Sequence, residues 1–223
     1  MAALSAGPAR RLPIGGRPGA LRLGFHLEPG MRVGLFGGSF NPAHDGHAHV
    51  AETALMRLGL DRVIWLVSPQ NPLKSERHMA PLAKRMASAR RFARGPKMIV
   101  SDAETRLGTR YTVDTLRLLQ ARFPGVQFVW IMGGDNLASF HLWRGWRGLM
   151  RRFPVAVVAR PGTLLSSRFG PAARRFAAAR RPASAAKLLG RMAAPAWTYL
   201  TAPLNNLSST HLRAGFSSPR PAE

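Results

Sequence analysis

From Met31 onward the chain alternates two textures. Short unbroken runs of Val, Ile, Leu and Phe are separated by longer stretches whose apolar residues recur at helical spacing. The runs predict strands over Arg32 to Phe36, Arg62 to Ser68, Lys97 to Ser101, Val126 to Met132, Val155 to Ala159 and Trp197 to Leu200. The stretches between them predict helices over Gly46 to Leu58, Pro81 to Ala93, Thr112 to Phe123 and Leu142 to Arg152. A βαβα order needs crossover helices, so the strands should run parallel in a sheet covered on both faces. All-α and all-β folds are excluded by the same pattern.

A length of 223 residues suits one domain with a substantial core, expected over 31–223. Residues 1–30 carry four arginines, several Gly and Pro and a single acid, Glu28, and read as a disordered N-terminal extension. A transit-like leader, or a start upstream of Met31, would give the same composition. Lys and Arg total 33 against 10 Asp and Glu, for a formal charge of +23. Such a balance invites polyanions, yet only Lys74, Lys84, Lys97 and Lys187 are lysines. An Arg/Ala/Gly/Pro bias also follows from a GC-rich genome, so charge alone names no ligand. The absence of cysteine removes disulfides, thiolate metal sites and cysteine nucleophiles together. No apolar run reaches the length of a membrane span, and a cytoplasmic location is expected.

In parallel sheets ligands bind outside the carboxyl ends of the strands. At those ends stand Gly37-Gly38-Ser39-Phe40-Asn41-Pro42, then Pro69-Gln70-Asn71-Pro72-Leu73-Lys74, then Gly133-Gly134-Asp135-Asn136, and past the last strand Leu207-Ser208-Ser209-Thr210-His211-Leu212-Arg213. Paired glycines let backbone N–H groups approach an anion with no Cβ in the way. The helix that follows would turn its N-terminal amides toward phosphate. His44 and His47, three residues apart, share one side of its first turn and could donate hydrogen bonds to phosphoryl oxygens as charge builds on a leaving group. Metal ligation and a purely structural capping pair are the competing readings, though no third ligand stands at a motif-like distance. His49 falls outside the pattern and reads as a helix-surface residue. Near the other end, three hydroxyls followed by Arg213 form a second candidate phosphate cluster.

The combination Gly-Gly-x-Phe-x-Pro-x-His-x-Gly-His with Ser-Ser-Thr-x-x-Arg resembles the nucleotidyltransferase superfamily that carries HxGH. Within it, residues 31–215 are similar to bacterial nicotinate-nucleotide adenylyltransferases. The resemblance implies a Rossmann-like, doubly wound, mainly parallel sheet. It further implies ATP and nicotinate mononucleotide as substrates and Mg2+ entering with ATP. His44, His47 and Arg213 are implied as the catalytic groups on the triphosphate, with Gly37, Gly38, Ser39, Phe40, Ser208, Ser209 and Thr210 completing the ATP site. Thr109-Arg110-Tyr111-Thr112-Val113-Asp114-Thr115-Leu116, and Gly133-Gly134-Asp135-Asn136-Leu137 followed by Phe140-His141-Leu142-Trp143, resemble the family's nicotinate-side elements. On that basis Lys74, Tyr111, Thr112, Asp135 and Trp143 are implied to hold the nicotinate nucleotide, with Trp143 stacked on its ring. Ser39, Asn41 and Leu73 depart from the commonest family residues, the hydroxyl being kept at Ser39.

The reaction so implied is a direct in-line transfer with no covalent intermediate. A nicotinamide-mononucleotide or phosphopantetheine enzyme of the same superfamily is the enzymatic alternative, and a homo-oligomer is compatible with either. From Asn136 to Ala222 there is no acidic residue, and "RRFAAARRPASAAKLLGR" within that stretch reads as an amphipathic Arg/Ala-rich helix. A nucleic-acid or membrane-surface module is therefore the rival of a different class, without any recognised nucleic-acid motif beside the charge.

Overall fold

The computed structural model describes residues 23–69, 79–160 and 167–201. Seven parallel strands form one sheet: β1 (Arg32–Gly38), β2 (Arg62–Val67), β3 (Met98–Ser101), β4 (Gln127–Gly133), β5 (Val155–Val158), β6 (Arg180–Arg181) and β7 (Trp197–Leu200). Their order is β3-β2-β1-β4-β5-β7-β6. Helices α1 (Asp45–Arg57), α2 (Leu82–Phe92), α3 (Ala103–Arg106), α4 (Thr112–Arg122), α5 (Gly134–Ser139), α6 (Trp146–Arg152) and α7 (Pro171–Arg175) fill the connections, with short 3-10 turns after α5 and α7. The doubly wound, parallel α/β expectation holds.

The strands are apolar throughout because both faces of the sheet are covered. Along β4, Phe128, Trp130 and Met132 join one buried cluster while Val129 and Ile131 join the other. β2 divides in the same way, Ile64 and Leu66 to one face and Val63, Trp65 and Val67 to the other. This is the two-residue period of a strand read out on two cores. Trp65, Trp130 and Trp197 are among the largest fully buried side chains, a class whose truncation to Ala typically costs about 3–5 kcal/mol. The β6 edge is only two residues long and consists of exposed arginines, which discourages further strand addition.

Four local expectations change. β1 continues through Gly37 and Gly38, which pair with Leu66 and Val67 of β2, so the glycines end the strand rather than follow it. The helix expected over Leu142 to Arg152 begins only at Trp146, because Trp143 is extended and Gly145 takes φ +71°. That left-handed Gly145 is required by a long-range contact: a Cβ there would lie 2.8 Å from Cγ1 of Val113. The segment 174–191 is not one amphipathic helix, since Arg180 and Arg181 pair with β7 and Pro182 precedes a separate 3-10 turn, Ala183–Arg191. Finally, the boundary expected at residue 30 falls too late: Leu23 and Leu27 are buried in the core, and the Ser101 hydroxyl donates to the Leu23 carbonyl at 2.9 Å.

Candidate active site

The strand order reverses direction between β1 and β4, since β1 leads outward through β2 to β3 and β4 leads outward through β5. That is the topological switch point at which ligands of open parallel sheets bind. β1 delivers Gly37, Gly38, Ser39 and the turn into α1, while β4 delivers Gly133, Gly134 and Asp135.

Tight packing, more than an open anion cradle, explains the first glycine pair. A Cβ on Gly37 would collide with the Trp130 indole, and one on Gly38 would meet the Phe40 ring at 3.0 Å. Phe40 holds φ +45°, a sparsely populated backbone conformation for a side-chain-bearing residue. Its ring anchors the turn against Phe36 at 5.4 Å and Trp65 at 5.1 Å between centroids. Phe40 is 1% exposed, so its part in any ATP site is to shape the turn.

His44 caps α1. Its Nδ1 accepts the Gly46 N–H at 3.1 Å, so in the neutral ring the proton resides on Nε2. That Nε2 is buried and has no hydrogen-bond partner among the described residues. A buried donor of this kind calls for a ligand acceptor. Burial, and then the Arg160 guanidinium, pull the His44 pKa down to about 4, against weaker opposing pulls from Asp45 and Asp135. His44 is therefore neutral near pH 7 and acts as a donor without carrying charge. His47, one turn on, places its ring 3.9 Å from that of His44 and 5.0 Å from Phe40. His49, read from sequence as a surface residue, is half-buried with Nε2 enclosed, because the small residues Gly46, Ala48 and Ala51 let α1 lie close on the sheet.

Asp135 opens α5 and faces Arg160, whose Nε lies 3.6 Å from its carboxylate. A Cβ on Gly133 would press on both side chains, so glycine leaves room for the pair where β4 meets its helix. His44, His47, Asp135 and Arg160 thus gather at the switch point. On the β3 side, Tyr111 caps α4 in an extended conformation, and its carbonyl accepts from the Asp114 and Thr115 amides at 3.0 and 3.2 Å. Thr112 is the first residue of α4. The partly buried Trp143 packs edge-on against Phe140 at 5.3 Å and Trp130 at 6.3 Å. The Gly145–Val113 contact joins the turn after Trp143 to the start of α4. Lys74, Ser208, Ser209, Thr210 and Arg213 lie outside the described residues.

Three charged residues at or beside these loops did not stand out in the sequence. Arg85 of α2 is 2% exposed and donates to the carbonyls of Ala80 at 2.8 Å, Ser39 at 2.8 Å, Ser68 at 2.6 Å and Pro69 at 2.9 Å. It thereby ties the loops after β1 and β2 together. Glu104 of α3 is buried against the Ser68 hydroxyl. Arg160 could have been found by asking which charge ends the fifth apolar run, "VAVVAR". Among the described residues no group of three His, Asp or Glu side chains could hold a metal ion.

A doubly wound parallel sheet with paired imidazoles at its first strand-to-helix turn defines a protein of the nucleotidyltransferase class. In agreement, the family model described as cytidylyltransferase-like matches residues 35–215. A Caulobacter sp. (strain K31) protein named as a probable nicotinate-nucleotide adenylyltransferase is 70% identical over 82% of this chain and 97% of its own length. A Cereibacter sphaeroides protein of the same name is 56% identical over 82% of this chain and 97% of its own. The chain belongs to the cytidylyltransferase-like family and, within it, to the nicotinate-nucleotide adenylyltransferases. A Plasmodium falciparum nicotinic acid mononucleotide adenylyltransferase, solved in complex with NaAD, has the same fold with a TM-score of 0.64 at 14% identity, covering 82% of this chain and 83% of that one. Among the described residues no helix is long and apolar enough to cross a membrane.

Proposed function

We propose that this chain joins nicotinate mononucleotide to ATP, giving nicotinate adenine dinucleotide and pyrophosphate, a step of NAD biosynthesis. The relatives' shared name supports the substrate pair, and the chain's own chemistry supports the reaction type. An oxygen of the mononucleotide's 5′-phosphate attacks the α-phosphorus of ATP, and the bond to the bridging oxygen of pyrophosphate breaks. A phosphate monoester is already anionic near pH 7, so the attack needs no general base. What the protein must supply is orientation, together with donors aimed where negative charge grows.

One observation carries this reading: the buried Nε2–H of a neutral His44 at the start of α1, which has no partner among the described residues. A neutral donor binds a phosphoryl oxygen without accepting or losing a proton, so transfer can proceed across the neutral pH range. His47 extends the same face, and Arg160 supplies fixed positive charge beside it. Ser39 and the loop held by Arg85 are assigned to ATP, as are Ser208, Ser209, Thr210 and Arg213, whose hydroxyls and guanidinium suit a triphosphate. Tyr111, Thr112, Asp135 and Trp143, with Lys74, are assigned to the nicotinate nucleotide. Magnesium entering with ATP keeps most of its ligands from phosphate oxygens and water. The side chains beside His44 fit that demand, with Asp135 as the carboxylate able to join it. When bound, the ion neutralises charge on the departing pyrophosphate.

The substitution His44→Asn tests the reading. Asn can still cap α1 through its side-chain oxygen but has no donor at the Nε2 position. The rate of adenylyl transfer at saturating ATP and nicotinate mononucleotide should fall about 100- to 1000-fold, as when one transition-state donor is removed, with the thermal midpoint little changed. A folded variant with the wild-type rate would refute the role of His44 and, with it, the reaction centre.

A further inference from the structure

Among the described residues Glu104 is the one acid that is buried, and the chemistry proposed above does not use it. It belongs to α3, the four-residue helix between β3 and α4. On the β2 side its carboxyl accepts the Ser68 hydroxyl. The other two polar groups of Ser68 face the ATP side. Its N–H donates to the Gly38 carbonyl at 3.0 Å, and its carbonyl accepts from Arg85, which also donates to the Ser39 carbonyl. On the α4 side the Glu104 carbonyl accepts the Thr109 amide at 3.0 Å, and the Thr109 and Thr115 hydroxyls lie 2.8 Å apart. Thr115 is fully buried and its hydroxyl donates to the Tyr111 carbonyl at 3.3 Å. Each hydroxyl has one proton, so with that of Thr115 on Tyr111, that of Thr109 falls to Thr115. Helix α3 is fixed at its own start too, where the Ala103 amide donates to Ser101 Oγ at 3.1 Å.

A run of hydrogen bonds thus spans from the Ser39 loop to the start of α4, with Glu104 at its centre. Such a run is stiff, because every bond broken within it leaves a shielded polar group unpaired. In-line transfer needs the reacting atoms about 3–3.5 Å apart and aligned. The two nucleotides are assigned to opposite ends of this run, ATP to the loop after β1 and the nicotinate nucleotide to the start of α4. We infer that Glu104 is a positioning residue: through Ser68 and Thr109 it sets the distance between the Ser39 loop and the start of α4, and so the alignment of the two nucleotides for transfer. The inference rests on the assignment of Ser39 to ATP and of Tyr111 and Thr112 to the nicotinate nucleotide. It places Glu104 in contact with neither substrate.

The test measures single-turnover rates of adenylyl transfer and both KM values in the full chain, with magnesium present. Wild type is compared with Glu104→Ala, Glu104→Gln, Thr109→Val and the double variant Glu104→Ala/Thr109→Val. In Glu104→Ala the rate at saturation should fall about 10- to 100-fold, the scale of a misplacement near 1 Å, while each KM stays within about 3-fold. Glu104→Gln keeps an oxygen for the Ser68 hydroxyl and should remain within about 3-fold of wild type. Thr109→Val should slow transfer in the same manner. Because both breaks lie on one path, the double variant should be no more than about 2-fold slower than the slower single. Thermal midpoints identify the folded variants, and rates are taken well below them. A wild-type rate in folded Glu104→Ala, an equal loss in Glu104→Gln, or losses that multiply in the double variant would overturn the inference. If Glu104→Ala does not fold, a wild-type rate in Thr109→Val overturns it, and a slowed Thr109→Val beside a near-normal Glu104→Gln supports it. Absence of transfer by the wild type would refute the substrate assignment itself, and the role of Glu104 with it. Transfer by the wild type and by the folded variants alike would refute only the role of Glu104.

Discussion

Glu104 lies in α3 with its side chain buried, and the Ser68 hydroxyl at the end of β2 donates to its carboxylate. Burial pushes its pKa up from 4.5 to about 7, and the Ser68 hydrogen bond opposes that rise only in part. Between those values the folded chain holds a proton that the unfolded chain has lost. The stabilisation from this group is therefore complete below about pH 4.5 and disappears as pH rises through 7, the reverse of a salt-bridged carboxylate. The span corresponds to about 3 kcal/mol. His44 acts in the opposite sense over a similar window: its lowered pKa makes folding less favourable as pH falls from 6.5 toward 4. Glu104→Gln, a neutral isostere, isolates the carboxyl. The urea midpoint of the wild type should fall relative to the variant as pH is raised from 5 to 8; midpoints that move in parallel would show that Glu104 keeps an ordinary pKa. The same residue bears on the site, since the Ser68 carbonyl is one of the four acceptors of Arg85.

Helix α2 contributes to the site through that one arginine. The rest of its buried face is Met86 and Ala89 against the sheet, but Arg85 turns inward and meets backbone carbonyls from both flanking loops. These are carbonyls of irregular segments, which lack ladder partners and must be satisfied some other way. Arg85→Met leaves them without their donor and should lower stability by about 3 kcal/mol, read as a lower urea midpoint with an unchanged m-value. Arg85→Lys, a point charge in place of a planar fork, should recover only part of the loss. Equal midpoints for Met and Lys would show that the fork geometry does not matter. On α1 the division of labour differs, because small residues bring the helix close to the sheet while His44 and His47 occupy its enclosed start.

For the molecule as a whole, the sheet was legible because a strand buried on both faces must be apolar without interruption. Six strand positions and three helices follow from that pattern to within two residues, and the fourth helix to within four at its start. What escaped the sequence depends on contacts between distant segments. The need for glycine at 145 comes from Val113, and the need at 37 comes from Trp130. The break at 180–182 comes from pairing with β7, which a helical periodicity cannot reveal. Arg85 was one arginine among many, and its burial is a property of the two loops it closes. The site was legible in part: HxGH and the glycine pairs mark where strands end, whereas the Nδ1 cap that fixes the His44 tautomer requires coordinates. The N-terminal boundary was missed because Leu23 and Leu27 stand alone in an Arg/Gly/Pro context, without a periodic partner. At the scale of the whole chain, the switch point joins ATP to a nicotinate nucleotide. Purified protein with ATP and magnesium, offered nicotinate mononucleotide, nicotinamide mononucleotide and phosphopantetheine in parallel, gives the direct measurement as pyrophosphate release. The prediction is a kcat/KM for nicotinate mononucleotide at least about 10-fold above either competitor, the scale of one charge-assisted contact. Release with phosphopantetheine alone, or with none of the three, would contradict it.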